Sequence, residues 1–187
     1  MAGDGQEVRW VGQVLKFWFD ELGPQDWFRK NSAVDDEISL HFSDLVDEVF
    51  ETPVDDLLIG TRHALASVIT LDQFPRNLYR GTAKSFAFDH VARKIALKAI
   101  ALKLDQNLNV HQRVFLYLPF EHSEDALDQE RSVELISALG NDGYTGYALK
   151  HKAVIDRFGR FPHRNKALGR PTTPEEEAYL AEPGSGF

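Results

Sequence analysis

The sequence predicts an all-α fold, with about eight helices in one compact domain, joined by short turns and so arranged largely as antiparallel hairpins. Three observations carry this. Apolar residues recur at helical spacing along most of the chain, no stretch alternates apolar and polar residues over strand length, and Gly, Pro, Asn and Asp punctuate the periodic segments. At 187 residues, 43% hydrophobic and 11% aromatic, the chain is long enough to bury one sizeable core. The domain is expected over residues 8–182, with flexible ends at 1–7 and 183–187.

The first helix is expected from Val8 to Leu22, with Val11, Val14, Leu15 and Trp18 on one face, and Gly23-Pro24 ends it. Trp27 and Phe28 plug the core from a connector. A second helix, Ser32 to Phe50, takes Ser32 with Asp35 as its cap and buries Ile38, Phe42, Leu45, Val49 and Phe50, leaving Asp35 and its neighbouring acids solvated. The third opens at Pro53 and ends near Phe74, because Pro75 disfavours helical backbone in the residue before it. Gly60 inside it implies close packing. A fourth helix runs from Ser85 to Leu104, and a fifth from His111 to Leu118, ended by Pro119. Ser123 caps the sixth, which continues to Gly140, and Asn141-Asp142-Gly143 turns into the seventh, Tyr144 to Arg157. Thr173-Pro174-Glu175-Glu176 announces the last helix, with Thr as cap, Pro in the first turn and Glu176 completing a capping box.

Charge is distributed unevenly. The net charge is −8, yet Lys150 to Arg170 holds seven Lys/Arg against one acid, Asp156, a local balance of +6 that leaves −14 on the remainder. A net-acidic domain lacks the broad basic face that phosphate backbones need, which argues against nucleic acid as partner. One basic segment in an acidic protein fits a small anionic ligand or an acidic peptide end, or else internal pairing with the surplus carboxylates. There is no cysteine, hence no disulfide, thiolate metal site or cysteine nucleophile. No membrane span and no secretory signal are visible, so a cytoplasmic protein is expected.

The densest chemistry lies in Phe158-Gly159-Arg160-Phe161-Pro162-His163-Arg164-Asn165-Lys166-Ala167-Leu168-Gly169-Arg170. Its Phe-Pro-His-Arg-Asn run echoes Phe74-Pro75-Arg76-Asn77. The echo is either two helices stopped by the same Phe-Pro device or two half-sites facing one pocket. The candidate ligand-binding residues are therefore Arg76, Asn77, Arg80, His151, Arg157, Arg160, His163, Arg164, Asn165 and Arg170. Their guanidinium forks suit carboxylate or phosphate. Equally, the arginines suit Asp72, Glu121, Glu124, Asp125 and Asp128 across helix ends.

An enzyme reading centres on His122, three residues before Asp125 and next to Glu121. A carboxylate-oriented histidine is a general base, and the same groups are the candidate catalytic set of a hydrolase or a metal site. No Glu-x-x-His or His-Glu-x-x-His pattern exists, so no metal is assigned. No P-loop, dinucleotide fingerprint or Gly-x-Ser-x-Gly elbow is present either, so no cofactor is named. A third reading is a scaffold module that binds proteins through a helical groove.

Four blocks carry a family resemblance: Val14-Leu15-Lys16-Phe17-Trp18-Phe19, Leu71 to Gly81, Leu118-Pro119-Phe120-Glu121-His122-Ser123-Glu124-Asp125 with Gln129, and Phe158 to Arg170 with Thr173-Pro174-Glu175-Glu176. In these the chain resembles the bacterial family of unknown function DUF924. The resemblance implies an all-α, tetratricopeptide-like superhelix and no particular activity. No repeat near 34 residues is visible in the sequence itself.

Overall fold

The computed structural model describes residues 8–185. The ends expected to be flexible lie outside it at 1–7 and 186–187. Within 183–185, Gly184 turns the chain (φ 79°) and Ser185 is buried, its hydroxyl donating to the Leu180 carbonyl at 3.0 Å. Every regular element among the described residues is helical, and none is a strand.

Helix α1 (Arg9–Lys16) buries Val11, Val14 and Leu15 and passes into a π turn over Phe17–Glu21. Short α2 (Pro24–Trp27) follows, with Asp26 accepting from the Gly23 N–H. Trp27 thus reaches the core from a helical turn, its indole N–H donating to the Trp18 carbonyl at 2.7 Å, while Phe28 stays 53% exposed. Helix α3 (Ser32–Glu51) takes its cap from Asn31, not Ser32, because the Asn31 side chain accepts from the Ala33 N–H. Asp35 is no solvated acid, for it binds Arg80 and Asn77. Phe50, expected in the buried stripe, is 39% exposed.

The third expected helix is broken at its start. A 3-10 turn over Val54–Leu58 precedes α4 (Thr61–Val68), and Gly60 is the extended residue before α4 with open space around its Cα. It is not the close approach anticipated. Nor does Pro75 end this helix. A π turn over Ile69–Gln73 sends the Phe74 N–H back to the Ile69 carbonyl, and the chain continues as α5 (Phe74–Leu78). Proline lacks an N–H and crowds the carbonyl four residues back, so a wider turn just ahead of it relieves both demands.

Helix α6 (Asp89–Ala101) is shorter than expected, with 3-10 turns at Ala83–Phe86 and Leu104–Asn107 on either side and Leu102 59% exposed. Helix α7 (Val110–Glu121) runs through Pro119, which falls in its final turn and costs only the bond to the Phe115 carbonyl. Helix α8 (Ala126–Ser137) is capped by Asp125, not Ser123; the Asp125 carboxylate accepts from the Leu127 and Asp128 N–H groups. Helix α9 (Asp142–Phe158) stops at Gly159, which adopts left-handed backbone at φ 66°. Phe161-Pro162 therefore opens a 3-10 turn, Pro162–Arg164, and does not end the helix. Helix α10 (Pro174–Leu180) has the capping box read from sequence, Thr173 with Glu176.

Around the core, α8 lies between α7 and α9, α3 packs on α5, and α4 touches α1, α6 and α7. Its centre is aromatic. Trp18 meets Phe74 and Phe115 edge-on at 5.8 and 5.6 Å, and Phe42 lies 4.9 Å from Phe74. Full burial of side chains of this size stabilises by ~1.5–3 kcal/mol each before packing geometry is counted. This core fixes the C-terminal end of α7 beside the π turn of α4–α5.

Candidate functional site

The π turn places Asp72 and Gln73 in the interior, where the Asp72 side chain is fully buried. A buried carboxylate requires partners. Asp72 has three: Gln73 donates to Oδ2 at 2.5 Å, His122 Nδ1 to Oδ1 at 2.8 Å, and Arg76 stands 3.4 Å from Oδ1. Burial pushes the Asp72 pKa upward, but Arg76 and His122 outweigh it and hold the group ionised. An ionised carboxylate only accepts, so His122 carries its proton on Nδ1 and presents a lone pair on Nε2. Burial, then Arg76, lower the His122 pKa and keep the ring neutral near pH 7.

Asp125, the sequence candidate for orienting His122, does not take part. Helix α7 ends at Glu121, so His122 and Asp125 share no helix face, and Asp125 is spent on capping α8. Asp72, fifty residues before His122, holds the imidazole instead.

Glu121 lies beside this dyad. Its Oε1 is 3.0 Å from His151 Nδ1, which also lies 2.9 Å from the Tyr147 carbonyl oxygen. Burial, then the Asp72 charge, raise Glu121 to about 8, while burial, then His122, lower His151 to about 3. Burial thus favours the neutral form of each partner across this hydrogen-bonding distance. The His151 and His122 rings lie 6.2 Å apart, and Phe161 covers His151 edge-on at 5.7 Å. His163 is packed at 5.5 Å from Phe161 and is lowered to about 4 by burial, then Arg164. Among the described residues, no group of three or more His, Cys, Asp or Glu is arranged to hold a metal ion.

The arginines divide sharply. Arg76 grips Asp89 with both amino groups at 2.9 Å and also donates to the Asp72 carbonyl. Arg80 and Asn77 both bind Asp35, tying α5 to α3. Arg157 meets Glu175 on the surface at 3.0 Å. Arg160 binds Glu176 at 2.6 and 2.8 Å, and Asn165 donates to the same carboxylate at 3.2 Å. Arg170 binds Glu124 at 2.7 and 3.0 Å, and Glu124 also accepts from the Phe161 N–H. These five guanidiniums have internal acids. Arg164 has none within hydrogen-bond reach, standing 3.7 Å from Asp89. It donates to the His122 carbonyl at 2.9 Å and lies over the Phe86 and Phe161 rings at 4.6 and 4.5 Å.

The two Phe-Pro runs thus converge after all, since Arg76 and Arg164 both face Asp89. A family model described as a bacterial protein of unknown function, DUF924, matches residues 14–184. The chain belongs to DUF924. A solved structure of a protein of unknown function from Agrobacterium tumefaciens is similar, with a TM-score of 0.87 at 42% identity over 91% of this chain and 96% of that one. No curated protein matches the chain. Three of the blocks that resemble DUF924 supply most of the cluster: Asp72 and Arg76 from the first, Glu121, His122 and Glu124 from the second, Phe161, His163, Arg164 and Arg170 from the third.

Sequence reasoning missed Asp72 and Asp89 as site residues. A polar Asp-Gln pair between Leu71 and Phe74, in an otherwise buried stripe, was the available signal for Asp72. Asp89 looks like any acid in a first helical turn, and only the fold connects it to Arg76.

Proposed function

We propose that this chain is a hydrolase-type enzyme in which His122 is the general base and Asp72 orients it. The single observation supporting this is the 2.8 Å bond from His122 Nδ1 to a fully buried, ionised Asp72, which leaves Nε2 as the basic atom. His122 keeps 15% of its side chain exposed, whereas the Asp72 side chain is fully buried. In this reading a water molecule gives a proton to Nε2 as its oxygen attacks an electrophilic carbon or phosphorus. The Asp72 carboxylate stabilises the imidazolium that forms, and the same proton then passes to the leaving group. The lowered His122 pKa keeps the base unprotonated at neutral pH.

The test is a panel of ester, amide and phosphoester substrates assayed with wild type, His122→Ala and His122→Gln. Loss of a positioned general base is expected to cost roughly 10²–10⁴ in rate. Gln retains a donor toward Asp72 and separates lost chemistry from lost packing. Turnover that is the same in all three proteins would sink the proposal. The broader anion-binding reading loses five of its arginines to internal acids, and the scaffold reading gains no support from any described contact. A cytoplasmic setting remains part of the proposal; among the described residues no helix is long and apolar enough to cross a membrane.

A further inference from the structure

Arg164 is the one guanidinium of the cluster with no acid at hydrogen-bond distance. Its side chain is 8% exposed, and its Nε has no hydrogen-bond partner among the described residues. The adjacent carboxylate is already used, because Asp89 accepts from Arg76 on both oxygens at 2.9 Å. Asp72 is likewise filled by His122 and Gln73. The 3.7 Å from Arg164 Nη1 to Asp89 is longer than a hydrogen bond. Glu124 is close enough to act on its charge but is bound by Arg170, and the His122 carbonyl and two phenyl faces hold the guanidinium plane without supplying an anion. Burial, then Arg76, lower the Arg164 pKa to about 10, against the pull of Asp89, Glu124 and Asp72.

A buried guanidinium with an idle donor is costly unless an acceptor arrives. Nature's usual acceptor for such a planar fork is an oxyanion. We infer that the substrate of the His122 site carries an oxyanion, carboxylate or phosphate, that docks on Arg164 and takes up its unpartnered Nε–H. This rests on the general-base reading, but it makes a separate demand. Arg164 is tied to the backbone of His122 itself, so an anion held there places the rest of the molecule beside the imidazole. Arg164 then sets specificity, and neutral analogues are excluded because they leave its charge unmatched.

The experiment titrates inorganic phosphate and, separately, acetate into wild type, His122→Ala, Arg164→Lys and Arg157→Ala, following melting temperature and calorimetric binding. Saturable stabilisation of wild type by one of the two anions is expected, retained in His122→Ala and Arg157→Ala. In Arg164→Lys it should be weaker by about tenfold or more, because Lys supplies a point charge without the fork. Phosphate-only or acetate-only binding identifies which oxyanion the site takes. No response of wild type to either, or equal affinity in Arg164→Lys, overturns the inference. Should Arg164→Lys fail to fold, histidine resonances of wild type decide the matter. Saturable movement of His122 on anion addition supports it, and movement confined to His41 or His90 overturns it. Unchanged turnover in His122→Ala would defeat the general-base reading while leaving this titration intact.

Discussion

The Phe158–Arg170 block is built into two regions that use the same residue types differently. In the outer clasp, Arg160 with Glu176 and Arg170 with Glu124 form forks in which both carboxylate oxygens accept, and Asn165 adds a further bond to each pair. Thr173 N–H completes the Glu176 set at 2.8 Å. In the inner cluster, burial favours the neutral forms of Glu121 and His151, His122 has Asp72 on Nδ1 alone, and Arg164 has an idle donor. Satisfied pairs hold α10 and the preceding loop against the end of α7. The unpartnered Nε of Arg164 marks where chemistry has been left room. Composition alone does not separate the two, because the separation is made by which arginine has already found an acid.

The sharpest way to break this contrast is Asp72→Ala. Removing the buried carboxylate leaves the Gln73 and His122 donors without their acceptor and Arg76 with Asp89 as its remaining acid, and a loss of ~2–4 kcal/mol is expected in denaturant unfolding. Turnover should fall with it.

A smaller effect tests the uncharged Glu121. Its pKa lies near 8 against an ordinary 4.5, so the folded state keeps a proton that the unfolded chain releases, and stability falls as pH rises through that interval. His122, His151 and His163 are shifted the other way, below 6.5. The unfolded chain takes up their protons first, so their contribution grows as pH rises and levels off about one unit above 6.5, near pH 7.5. Between about pH 7.5 and 8, Glu121 is therefore the group among these that still changes. Stability should decline there by at most ~1.4 kcal/mol per pH unit. Glu121→Gln should flatten the decline, and a slope that persists in the variant would show that Glu121 is ionised in the fold.

Arg170→Ala should cost less, ~1–2 kcal/mol, because both it and Glu124 are partly exposed and water screens the vacancy. Melting would fall and turnover per folded molecule would not. Smallest of all, Arg157→Ala removes a surface pair that is about half exposed and should change stability by ~0.5 kcal/mol or less. If Arg170→Ala or Arg157→Ala removed turnover as His122→Ala does, the division between clasp and site would be wrong.

Helix existence was legible because burial imposes a 3.6-residue period, and that period survives in α1, α3, α6 and α9. The errors cluster at ends and prolines. Ser32 and Ser123 looked like caps, but Asn31 and Asp125 sit one residue before and two residues after, with better-placed oxygens. Pro75 and Pro119 looked like terminators, yet one follows a π turn and the other occupies a last turn. At the site, the sequence named His122, Glu121, His151 and Arg164. It could not name Asp72 as the partner of His122, because that pairing is a property of how α4–α5 lies against α7.

The π turn at Ile69–Gln73 has a consequence for how this protein can change length. An α-helix advances by about 100° per residue. A ring closed over one extra residue shifts everything after it by about that angle. Arg76, Asn77 and Arg80 reach Asp89 and Asp35 only from the shifted phase. A single deletion between residues 69 and 73 would restore an ordinary helix and swing all three away from their acids. Substitutions there alter one side chain, whereas a change of one in length would misalign a whole helix face.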